Sequence, residues 1–244
     1  MERTLIYSLV LVFLIPLGFA GCVKKTMTGE KVIFPPVPAA TTDTLEKSYL
    51  ALGDSYTIGA GVNASERYPT QTINMLKEQG IFFSPVTYIA QTGWTTNNLA
   101  GAIAISNLKP PYDIVTLLIG VNDQYQRNDT TGYRANFTQL LETSIKLSGN
   151  RRSRVIVLSI PDYGVTIFGA GWPNVGKQID VFNAINRSVT ESYEIAYLDI
   201  TGISRKAAGA PGLILGNGPH FTGAEYALWA APLALMIGRA LKLN

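Results

Sequence analysis

From Ser48 onward, short apolar runs alternate with longer segments of helical period, and this alternation restricts the fold more than any other feature of the chain. The runs are SYLALG (48–53), PVTYIA (85–90), DIVTLLIG (113–120), SRVIVLSI (153–160) and IAYLDI (195–200). Between them, 69–80, 97–106, 133–149 and 176–193 read as helices, and 223–243 closes the chain as a helix with an expected kink at Pro232. The run at 113–120 is almost wholly apolar, as a strand covered on both faces must be. In 133–149, Phe137, Leu140, Leu141 and Ile145 fall on one stripe. Such an order calls for an α/β fold: a five-stranded parallel sheet with helices on both faces. Functional residues of these sheets gather at the carboxyl ends of the strands, here just after Gly53, Ala90, Gly120, Ile160 and Asp199.

The N-terminus has a different character. Residues 5–20 are apolar apart from Ser8 and are broken by Pro16. The segment is shorter than the ~20 residues a spanning helix needs and fits the apolar core of an export signal. It ends in Phe19-Ala20-Gly21-Cys22, which resembles the bacterial lipoprotein processing box, with Phe19 where Leu is usual. The expectation is therefore a signal peptide over 1–21, lipid on Cys22 and a Pro-, Ala- and Thr-rich tether over 22–47. The catalytic or binding domain then occupies 48–244. An uncleaved anchor is the alternative. Either way the domain is expected outside the cytoplasm, in the cell envelope, with the membrane as a partner through the N-terminal lipid.

Composition removes several classes of function. With one Cys and one His, a zinc site of the usual ligands cannot be assembled within one chain. No cofactor is called for. The net charge is only +3 and no basic block occurs, so nucleic acid is not an expected partner.

The strand ends carry the chemistry. GDSYTIGAG follows the first strand, with Ser55 flanked by glycines that permit a tight turn and an exposed hydroxyl. QTGW with Gly93 follows the second, GVND with Asn122 the third, and the single histidine, His220, lies near the C-terminus. These ordered blocks, spread over roughly 48–244, resemble those of the SGNH (GDSL-type) hydrolase family. The resemblance implies a three-layer α/β/α flavodoxin-like sandwich that hydrolyses esters and related acyl groups. It implies Ser55 as nucleophile, His220 as base, and the Ser55 and Gly93 N–H groups with the Asn122 amide as oxyanion donors. A serine hydroxyl needs such a base, and a tetrahedral oxyanion such donors. Asp54 is read as organising the Ser55 turn, and Tyr56, Trp94 and Tyr163 as candidate pocket walls.

One position departs from the family. Its usual acid, three residues before the histidine, is Asn217 here. Three outcomes stay open: a Ser55–His220 dyad oriented by Asn217 or a backbone carbonyl; a substitute carboxylate, Asp162 or Asp199; or a domain that binds without catalysis. The leading expectation is a hydrolase of small-acyl or carbohydrate esters, taking a small-molecule acyl ester. Lysophospholipase or thioesterase activity is the alternative, and a catalytically impaired ligand-binding lipoprotein is the reading from another class.

Overall fold

The computed structural model describes residues 45–216 and 218–242. The expected signal peptide, Cys22, most of the expected tether and Asn217 lie outside the described residues. The strands are β1 (Tyr49–Gly53), β2 (Thr87–Ala90), β3 (Ile114–Leu118), β4 (Val155–Leu158) and β5 (Ala196–Leu198). All neighbours pair in parallel, in the order β2-β1-β3-β4-β5. β1, β3 and β4 are buried along their whole length, which is why β3 and β4 are near-continuous Leu, Ile and Val and β1, YLALG, carries no charged residue. Lys47, at the end of the expected tether, makes an isolated parallel bridge to Phe83.

The helices are α1 (Ser55–Ile58), α2 (Tyr68–Glu78), α3 (Thr96–Ile105), α4 (Val121–Gln126), α5 (Thr130–Leu147), α6 (Ile167–Ala170), α7 (Val175–Ser192), α8 (Thr201–Lys206) and α9 (Gly223–Lys242). α2 packs on α9, while α5 packs on α3 and α7, giving helical layers on the two faces of the sheet. α5 starts three residues before the expected Tyr133 because Asp129 caps it, accepting the N–H groups of Thr131 and Gly132 at 3.1 and 3.0 Å. α9 continues through Pro232. Its buried Trp229 sits among Tyr56, Tyr68, Phe221 and Tyr226, and its indole N–H donates to Glu225 at 2.8 Å. Among the described residues no helix is long and apolar enough to cross a membrane.

The chain leaves β1 to one side to form β2 and then crosses to the other side for β3. That reversal opens a crevice at the carboxyl ends of β1 and β3, where ligands bind in sheets of this kind.

Candidate active site

Ser55 opens α1 directly after β1. Asp54 caps this helix, its Oδ1 accepting the Tyr56 N–H at 3.0 Å. Gly53 is required by close approach: a Cβ there would run into the Thr57 side chain and the Leu118 carbonyl. Asp54 is fully buried, its Oδ2 has no hydrogen-bond partner, and desolvation pushes its pKa up to about 8. Ser55 is only 4% exposed, so the hydroxyl expected on an open turn instead lines a cavity.

Two further loops close on the same place. Gly93 holds φ +85, a left-handed conformation that favours glycine, and a Cβ there would stand in open space. Its carbonyl accepts Gln126 Nε2 at 3.0 Å, and the next carbonyl, of Trp94, accepts Asn122 Nδ2 at 2.9 Å. Asp123 accepts both the backbone N–H and the hydroxyl of Thr96, at 2.9 and 2.6 Å. The start of α4 is thereby tied to the start of α3, and the Gly93 loop is fixed between them.

His220 lies in a short antiparallel pairing of Ile214 with Phe221, where Leu215 N–H donates to the His220 carbonyl at 3.0 Å. Tyr56 reaches the same loop: its hydroxyl donates to the Pro219 carbonyl at 3.0 Å. Its ring stands edge-to-face against the imidazole, with centroids 5.6 Å apart and planes at 69°. Burial lowers the His220 pKa below its ordinary value.

Ser55, Gly93, Asn122 and His220, drawn from separate strand ends and the C-terminal loop, line one cavity of about 120 Å³. Tyr56 and Tyr163 line it as well; Trp94 does not, and packs against the core through its ring while its carbonyl serves Asn122. Tyr125 and Phe168 form a wall that the sequence reading missed. From them an aromatic ridge runs outward, with Trp172 5.6 Å from Tyr125 and 6.5 Å from Phe168 between ring centroids.

The two carboxylates offered as substitute acids are engaged elsewhere. Asp162 pairs with Arg205 at 2.8 Å and accepts Gly164 N–H at 2.8 Å. Asp199 pairs with Arg187 at 2.9 Å and accepts Thr201 N–H at 3.0 Å. Neither lines the cavity of His220. Among the described residues no cluster of His, Cys, Asp and Glu is placed to hold a metal ion. A larger cavity of about 470 Å³ lies between α2 and the β2 edge, beside Arg67, Lys77 and Tyr88, and contains none of the four expected site residues. The chemistry-bearing groups select the smaller one.

Residues 51–228 match the model of the GDSL-like lipase/acylhydrolase family. No relative was found among curated proteins. Solved structures share the fold. A lipase/acylhydrolase from Enterococcus faecalis is 23% identical over 79% of this chain and 96% of its own, with a TM-score of 0.62. An acetylxylan esterase from Geobacillus stearothermophilus, as a catalytic mutant, is 17% identical over 79% and 94%, with a TM-score of 0.61. A psychrotrophic esterase from Pseudoalteromonas sp., inhibited by monoethylphosphonate, is 16% identical over 81% and 100%, with a TM-score of 0.58.

Proposed function

The chain belongs to the GDSL-like lipase/acylhydrolase family and is a serine hydrolase, and from that premise we propose that it hydrolyses short-acyl esters of small or carbohydrate alcohols. Ser55 Oγ attacks the ester carbonyl while His220 takes its proton. The tetrahedral oxyanion is received by the backbone N–H groups of Ser55 and Gly93 and by the Asn122 amide. Collapse expels the alcohol, which leaves with the proton from His220, and the Ser55 acyl-enzyme is then hydrolysed by water through the same base.

The observation that carries this reading is the convergence of these four residues on one cavity of about 120 Å³. The same volume bears on the acyl group. An apolar cavity of ~150 Å³ accommodates benzene, so this one, at about 120 Å³, has room for about five heavy atoms, an acetyl to butyryl group. The aromatic ridge outside it is available to the alcohol. A longer-chain reading, as lysophospholipase or thioesterase, draws on one observation: Trp172 on that ridge is 51% exposed, and Ile167, the neighbour of Phe168 in the chain, is 69% exposed.

Model esters of increasing acyl length separate the two readings, with Ser55→Ala as control. Short-acyl hydrolysis should be lost in Ser55→Ala, and a serine-reactive phosphonate should label wild type at Ser55. Turnover that survives Ser55→Ala overturns the mechanism. Absence of both labelling and turnover in wild type leaves a binding protein.

The processing box at Cys22 and the apolar segment before it support a further proposal, that Cys22 is lipidated and holds the domain at an envelope membrane. Mass spectrometry of membrane-fraction protein should find an acylated N-terminal Cys22; mature protein that retains Met1 refutes it.

A further inference from the structure

A base that takes a proton from serine must be held in one orientation, and misplacement by about 1 Å can cost 10²-fold in rate. His220 has no carboxylate doing this among the described residues, since Asp162 and Asp199 are paired with arginines away from its cavity. The group that does grip its loop is a phenol. Tyr56 donates to the carbonyl of Pro219, the peptide immediately before the base, and lays its ring edge-to-face with the imidazole. We propose that Tyr56 is the positioning residue for the base, coupling His220 to Ser55 because it is the nucleophile's immediate neighbour in α1. This inference rests on the roles given above to Ser55 and His220.

The support is rigid at every joint. Tyr56 is buried, its own N–H is held by Asp54, and its ring packs against Phe221 and Trp229 with centroids 6.1 and 6.2 Å away. Burial pushes the phenol pKa well up, so the hydroxyl remains a donor throughout the working range. A residue present only to fill the core needs no hydroxyl; Phe has the same shape and leaves no buried polar group to satisfy. Here the hydroxyl is directed at a carbonyl far away in sequence and one residue from the base. The other polar side chains lining the cavity with His220 are those of Ser55, Thr92, Tyr125, Tyr163 and Asn122, and no Asp, Glu, Lys or Arg lines it.

Tyr56→Phe removes the anchor and keeps the ring. We expect kcat to fall about tenfold with KM little changed. His220 is the single histidine, so its NMR titration is free of overlap. In wild type the midpoint should lie below the ordinary ~6.5; in Tyr56→Phe it should move up toward that value as the ring gains water. Tyr49→Phe is the control, because it removes another buried phenol hydrogen bond, with the Thr116 hydroxyl at 3.0 Å, at the opposite end of β1 from Ser55 and away from the Pro219 carbonyl. It should lower the melting temperature and keep kcat per folded molecule. The proposal is overturned if Tyr56→Phe leaves both kcat and the titration unchanged, or if Tyr49→Phe lowers kcat as far. Turnover that survives Ser55→Ala would remove the proposed function instead, and the NMR titration would still report whether Tyr56 holds the ring.

Discussion

The side-chain amide of Asn122 donates to the main-chain carbonyl of Trp94 at 2.9 Å, one residue beyond Gly93. An amide nitrogen carries two hydrogens. The bond uses one and fixes the plane of the group, which leaves the second for the cavity that Asn122 lines. Two of the proposed oxyanion donors are thus locked to each other before substrate arrives. Asn122→Ala should lower kcat by about 10²–10³ with the far-UV spectrum unchanged. Asn122→Asp should do no better, since a carboxylate would repel both the oxyanion and the Trp94 carbonyl. Steady-state kinetics on a short-acyl ester decide it; a loss confined to KM would remove Asn122 from the oxyanion site.

Much of this arrangement was legible in the sequence because strand ends are legible. The parallel strands read as apolar runs, and Ser55, Gly93 and Asn122 follow closely on β1, β2 and β3. The short helices α1, α4, α6 and α8 were not, because four to six residues are too few to show a period. Caps define them instead, as with Thr166, whose hydroxyl accepts the Gly169 N–H at 3.0 Å. Phe168, in one of these helices, was missed for that reason. Asp162 and Asp199 were rightly placed at the productive edge, but their arginine partners come from α8 and α7, and nothing local in sequence announces a long-range ion pair. Tyr125 had a signal that went unused: it lies three residues after Asn122, hence on the same side of a helix.

Phe168 offers a test of acyl size. It lines the cavity, so Phe168→Ala should open it toward the rim. Each additional buried methylene is worth about 0.8 kcal/mol, and two that find room should change relative rates about tenfold. The ratio of kcat/KM for hexanoyl over acetyl esters should therefore rise about tenfold over wild type. An unchanged ratio would show that the acyl chain lies elsewhere, and that the cavity receives the alcohol.

Asp54 makes a prediction about stability. Its folded-state pKa is held at about 8 by desolvation, above the ~3.9 of an unfolded chain. Between those values the folded state binds a proton that the unfolded state lacks. The contribution is therefore complete below about pH 4 and declines as pH rises toward 8, by at most about 1.4 kcal/mol per pH unit. Glu225, also buried with a raised pKa, acts with the same sign. Asp54→Asn retains an acceptor for the Tyr56 N–H and removes the titration. Urea unfolding at several values between pH 5 and 8 should show a shallower decline for the variant. Parallel curves would mean that Asp54 is not the group responsible.

Asn217 stands where the family's acid is expected. His220 shows a pKa lowered by burial, without the upward pull a nearby carboxylate gives an imidazolium. The acid limb of kcat/KM should accordingly have its midpoint below about 6.5, and activity should persist into mildly acidic solution. Asn217→Asp introduces a negative charge that favours the protonated ring. Two changes should arrive together: turnover rises, because the imidazolium formed during attack is stabilised, and the acid limb moves to higher pH. The gain should fall short of the ~10⁴ that separates Asp from Asn in a serine protease, because Tyr56 already supplies part of the orientation. A pH–rate profile of both proteins distinguishes charge from geometry. If turnover rises without a shift in the limb, the carboxylate acts by orienting the ring alone; if neither changes, residue 217 does not reach His220, and the base works as one half of a dyad.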